Sequence, residues 1–145
     1  MSGTPEKTLS PQGALRLEAF IIGLGILALI LIFQPVSLTL FAIGSGLVVL
    51  AGLVNNLLPL AKPGTKAKSI MTVALVVAMI FCIVLLVSIA AAHLYGVFFL
   101  KPPDPATTAG KVQLATPPFY LQPLVWALAV AAVCFAAAIT WLQRK

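Results

Sequence analysis

From Ile70 to Leu100 the sequence runs for 31 residues without a single Asp, Glu, Lys or Arg. A helix rises about 1.5 Å per residue and the hydrocarbon core of a bilayer is about 30 Å thick, so about 20 apolar residues are enough to cross it. Three further apolar runs, at about 14–33, 36–61 and 123–142, meet that length. Inside lipid every backbone donor and acceptor must be satisfied within the segment, which makes each run a helix. The expected fold class is all-α: an integral membrane protein with four transmembrane helices in two antiparallel hairpins. A single four-helix transmembrane domain is expected over residues 1–145, with spans at about 14–33, 36–61, 69–100 and 123–142. Composition agrees, since 8% of the residues are charged and a water-soluble domain carries about 25%.

The breaks between the runs are equally readable. Ser10 followed by Pro11 is a helix-start signal, an N-cap hydroxyl before a proline that needs no donor. Residues 1–9 show no periodicity and are expected to form a mobile tail. Arg16 and Glu18 stand where long side chains reach the headgroups. The first run is long for a secretory signal and no small-x-small cleavage pattern follows it, so it is expected to remain as a span. Gln34-Pro35-Val36-Ser37 allows only a tight hairpin connection. Pro59 should conflict with the carbonyl of Asn55 and bend or end the second helix. Ser69 can cap the third helix, which is too long for the bilayer and must tilt or project. His93, Tyr95 and Gly96 fall on its far portion.

Residues 101–122 form the only sizeable stretch outside the spans. Pro102, Pro103, Pro105, Pro117 and Pro118 lie in it and Pro123 follows. At 22 residues it exceeds an ordinary connection and is expected to be either a docking segment or disordered. Trp126 and Trp141 lie about 22 Å apart along the fourth span, suited to the aromatic belts at the two interfaces.

An even number of spans puts both termini on the side of the 62–68 loop. That side then holds Lys7, Arg16, Lys62, Lys66, Lys68, Arg144 and Lys145, against Lys101 and Lys111 opposite. The positive-inside rule places the termini in the cytoplasm and the proline-rich loop outside, in a plasma membrane of the bacterial inner-membrane type. The net charge of +6 is accounted for by this placement. A nucleic-acid partner, which needs its basic residues clustered in one groove, is not expected.

Reactive chemistry is sparse. Ionisable residues inside a membrane are costly and mark functional sites, yet no Asp, Glu, Lys or Arg stands in the middle of any span. His93, the one histidine, rules out a bis-histidine haem within the chain and reads as an interfacial residue beside Tyr95. Asn55 and Asn56 read as polar company for the backbone freed by Pro59, with a ligand contact as the sharper alternative. Cys82 and Cys134 read as small apolar packing residues. No catalytic, cofactor-binding or metal-ligating residue is assigned and no cofactor is expected. Small residues recur every three or four positions: Ala42, Ser45, Val49, Gly52 and Asn56 on the second span, and Ala127, Ala131, Cys134 and Ala138 on the fourth. Shorter pairs occur at Ala19 and Gly23 and at Ala74 and Ala78. Such stripes let helix backbones approach closely in lipid.

The expected function is a non-catalytic small accessory or assembly subunit of a larger multi-subunit membrane complex, of respiratory, transport or secretion type. Its expected partners are the lipid bilayer and larger membrane-protein subunits, met through the small-residue helix faces or the 101–122 loop. The alternative is a self-assembling small transporter or channel lined by Asn55, Asn56, Ser45, Ser88 and Thr72. A lipid-modifying enzyme would lack its catalytic residues.

Overall fold

The computed structural model describes residues 5–145, and among them the secondary structure is helical apart from one isolated antiparallel bridge. The helices are α1 (Pro11–Phe33), α2 (Leu38–Asn55), α3 (Ala67–Phe99), α4 (Thr108–Ala115) and α5 (Pro123–Arg144), with short 3₁₀ turns at Leu58–Leu60 and Phe119–Leu121. Four of these, α1, α2, α3 and α5, are long and apolar enough to cross a membrane. Leu, Ile, Val and Phe side chains stand exposed along them, from Leu15 and Phe20 on α1 to Val133 on α5. In water such surfaces would drive aggregation. Here they meet lipid, and the chain is a multi-pass membrane protein.

Local chemistry sets the helix ends. Ser10 Oγ accepts from the Gly13 amide at 3.0 Å, with Pro11 at the first helical position. The connection to α2 is tied by one side chain. The Gln34 carboxamide oxygen accepts from the amides of Val36 (2.8 Å) and Ser37 (2.9 Å), while its nitrogen donates to the Ser37 carbonyl at 2.7 Å. Pro35 contributes no donor, so the turn leaves few backbone groups to satisfy at the membrane boundary. The second span ends earlier than its hydropathy suggests. Helix α2 stops at Asn55, four residues before Pro59, the position whose carbonyl the proline ring would strike. The chain then tightens into the 3₁₀ turn containing Pro59.

Helices α1 and α2 pack closely against each other. On α1 the buried residues are Ala14, Ile21 and Ala28, at heptad spacing, with Leu17 and Leu24 half-buried between them and Leu31 half-buried just beyond. On α2 the corresponding face carries Gly44, which is buried, and the half-buried Leu47, Ala51 and Val54. A β-carbon at Gly44 would lie 2.8 Å from Leu31 Cβ and 2.9 Å from the Leu31 carbonyl carbon. Glycine is therefore required where the two backbones come nearest, the packing mode that holds helices together in lipid. The stripes marked by spacing alone lie elsewhere. Ala19 and Gly23 are exposed on α1, as are Ala42, Val49 and Gly52 on α2 and Asn56 at its C-cap, while Ser45 is half-buried. Nothing lies within 4 Å of a β-carbon built at Gly23 or Gly52.

The expected mobile tail is corrected in part. Residues 1–4 lie outside the described residues, but residues 7–9 pair with the 64–67 loop. The Leu9 amide donates to the Thr65 carbonyl, the Gly64 amide to the Leu9 carbonyl (both 2.8 Å), and the Ala67 amide to the Lys7 carbonyl at 2.9 Å. Gly64 makes this possible with a φ of 85°, a left-handed conformation that favours glycine. Glu6 adds an ion pair to Lys66, and the hydrogen bond and charge of Lys66 hold the Glu6 carboxyl below its usual range. Both partners are more than half exposed, so the pair by itself contributes little. Backbone pairing of this kind leaves no hydrophobic period in the sequence.

The chain divides into two compact units, one comprising the residues up to Val77 together with Ile139–Lys145, the other Ala78–Ala138. Helix α3 runs through both. With 33 residues it is about 50 Å long, some 20 Å more than the hydrocarbon core needs.

Candidate functional site

The segment 101–122 is where the sequence left a choice between docking and disorder, and it is folded. Asp104 opens the turn: its Oδ1 accepts from the Ala106 amide at 2.8 Å, and its carbonyl accepts from the Thr107 amide and hydroxyl at 3.2 and 3.0 Å. Thr107 Oγ in turn accepts from the Gly110 amide at 3.0 Å and caps α4. Gly110 is buried beneath this turn, and a β-carbon there would fall 1.8 Å from the Asp104 carbonyl oxygen. Eight residues later in the chain Pro118 leads into the 3₁₀ turn. The indole Nε1 of Trp126, in the first turn of α5, donates to the Tyr120 carbonyl at 2.8 Å. The segment is thus ordered within itself around Asp104 and Thr107, and its far end is tied to α5 by the Trp126 bond.

His93, near the end of α3, meets this segment. Its ring lies 4.8 Å from that of Phe119, tilted by 49°. The expected neighbour Tyr95 stacks instead on Phe99, at 5.3 Å. Four residues separate those two, so they share a helix face, whereas residues 93 and 95 do not. Beside the His93–Phe119 pair opens a cleft of about 610 Å³, lined among others by Gly96, Lys101, Gln113 and Gln122. The lining brings one imidazole, one ammonium, two carboxamides and the Thr116 hydroxyl together with apolar side chains. No three His, Cys, Asp or Glu side chains come together to hold a metal ion among the described residues.

No protein family, curated protein or solved structure matches the chain. The reading of function therefore rests on the geometry.

Of the polar residues singled out in the spans as a channel lining, all but Asn55 bond back to their own helices. Ser45 Oγ donates to the Phe41 carbonyl (2.9 Å), Thr72 Oγ to that of Lys68 (2.8 Å) and Ser88 Oγ to that of Val84 (2.7 Å). The Asn56 carboxamide donates to the carbonyls of Gly52 (3.2 Å) and Leu53 (3.1 Å). Bonding back to the preceding turn is how a hydroxyl or amide is accommodated against lipid. The two cysteines differ: Cys82 is buried, as a packing residue should be, while Cys134 is exposed on α5. On the fourth span the stripe is mixed, with Ala127 and Cys134 exposed and Ala131 and Ala138 half-buried.

Spacing did not single out the residues that organise these features. Gln34, Gly44, Thr107 and Gly110 act through local contacts with the backbone. Only Thr107, three residues before a glycine and after Asp-Pro-Ala, carried a usable cue, that of a capped turn.

Proposed function

We propose that the chain is a non-catalytic accessory or assembly subunit of a larger membrane complex, of respiratory, transport or secretion type. The observation that carries this reading is the folded 101–122 segment. It is locally ordered and tied to α5 through Trp126, yet it leaves Val112, Leu114, Tyr120 and Leu121 more than half exposed. Ordering a segment outside the spans costs conformational entropy, and apolar side chains held out on such a segment suit a protein partner. The spans contain no carboxylate or ammonium near their middles, which gives a proton relay or acid/base reaction nothing to work with. By the positive-inside rule the termini and the 62–68 loop lie in the cytoplasm and the folded segment on the far side of a bacterial inner membrane.

A second reading, a self-assembling small transporter or channel, draws on the exposed stripe of α2 with open space at Gly52. Against it stand the back-bonded Ser45, Asn56, Thr72 and Ser88, which are four of the five groups a polar pore would have to use, Asn55 being the fifth.

Gentle extraction of the tagged chain separates the two. Larger subunits in fixed stoichiometry should co-migrate with the unaltered chain. Leu114→Asp combined with Leu121→Asp should abolish that co-migration while the chain remains inserted. A homo-oligomer that is unchanged by this double substitution, but lost on Gly52→Leu, would install the channel reading instead.

A further inference from the structure

At the start of α3 four lysines gather around one cleft, where Lys66 pairs with Glu6. Lys66 and Lys68 flank the start of the helix, Lys145 follows the end of α5, and Lys7 comes from the paired tail. All four line a cleft of about 430 Å³ that also contains Glu6. Four positive charges against one negative leave a local excess of three. The tail is bonded to the loop through its backbone, so Lys7 and Glu6 are held at the cleft. Lys66, by its hydrogen bond and charge, and Lys68, by its charge, both favour the ionised form of Glu6.

The cleft has a second chemistry. Met71, one helical turn into α3, and Leu142, in the last turn of α5, also line it. Both belong to spans, so this apolar wall continues toward the membrane interior. Lys145 Nζ lies 4.0 Å from the centre of the Trp141 ring, and a tryptophan at a span end is a headgroup-level residue. Lys68 also borders a neighbouring groove with Ser69, Thr72 and Gln143, which supplies neutral hydrogen-bonding groups beside the cations. A cationic mouth over an apolar wall at headgroup depth is complementary to an amphiphile with an anionic head.

We propose that this cleft is a binding site for an anionic phospholipid. Its phosphodiester is held by Lys66, Lys68 and Lys145, and an acyl chain lies against Met71 and Leu142. Glu6 competes with the phosphate for Lys66, acting as a tethered anion that moderates affinity. A soluble phosphate could use the same ammonium groups but would leave the apolar wall unused.

The test is lipid retention by the purified full chain, read by native mass spectrometry. Phosphatidylglycerol is compared with phosphatidylcholine of the same acyl chains. A lysine near an anionic surface contributes roughly a factor of five in affinity. Lys68→Gln with Lys145→Gln should therefore weaken phosphatidylglycerol retention by about 25-fold, and that of phosphatidylcholine, whose choline cation offsets its phosphate, far less. Glu6→Gln should strengthen it. Lys111→Gln, on α4, should change nothing, which separates a local site from overall charge. The proposal is overturned by equal retention of the two lipids, or by an effect of Lys111→Gln as large as that of one cleft lysine. Displacement of phosphatidylglycerol by millimolar inorganic phosphate would assign the site to a soluble anion and overturn it equally.

Discussion

Gly44→Leu should separate α1 from α2. The first added carbon would stand 2.8 Å from Leu31 Cβ and 2.9 Å from the Leu31 carbonyl carbon, and the second of these belongs to backbone that cannot rotate away. Overpacking a well-filled contact costs typically about 1–3 kcal/mol when side chains can absorb it. Here the backbones themselves must part, so a loss of about 3 kcal/mol or more is expected. The same separation would strand Ala14, Ile21 and Ala28, the buried line of α1. Gly52→Leu supplies the control, because the space at Gly52 is open and surface changes usually fall within about 0.5 kcal/mol. Unfolding of the reconstituted chain by titration with a denaturing detergent checks both. An early transition for Gly44→Leu and an unchanged one for Gly52→Leu is the expected pair of results. Equal midpoints would contradict the assigned packing face.

Gly110→Val should dismantle the distal segment and leave the spans standing. The added β-carbon would fall 1.8 Å from the Asp104 carbonyl oxygen and 2.6 Å from its carbon, so the turn before α4 cannot persist in any rotamer. Releasing it also breaks the Thr107 cap, whose loss alone costs about 1 kcal/mol. Protease cutting confined to 101–122, with the chain still inserted, is the expected outcome. Co-migration of partner subunits should be lost at the same time if they dock on this segment. A cleavage pattern identical to that of the unaltered chain would show that α4 is not held as described.

Much of the fold was legible because lipid imposes a coarse requirement. A span needs length and apolarity, and both are read directly from Ile70–Leu100 and its three companions. The stops were legible where a single residue forbids continuation: Pro59 ends α2 at Asn55, and Ser10 with Pro11 starts α1. The packing faces were not. In a soluble helix the buried side is marked by contrast with a polar side, but in these spans both sides are apolar and alanine and glycine occur on all of them. Spacing therefore selected Ala42, Gly52 and Asn56, which face outward, and passed over Ala14, Ala28 and Gly44, which do not. The tail pairing and the His93–Phe119 contact depend on residues distant in sequence. No local period records either of them. The functional residues proposed here share that property: Leu114 and Leu121 matter through what holds them out, and Lys145 through its meeting with Lys66 and Lys68.

The proposed topology puts the basic loop and the 101–122 segment on opposite sides of the membrane. Two single cysteines test it most directly, Thr65→Cys in the basic loop and Ala109→Cys on α4, each in a chain with Cys82 and Cys134 replaced by alanine. With intact cells, a membrane-impermeant maleimide should label Ala109→Cys and should reach Thr65→Cys only after permeabilisation. Labelling of both positions from the same side would contradict the four-span arrangement, and the inverse pattern would contradict its orientation.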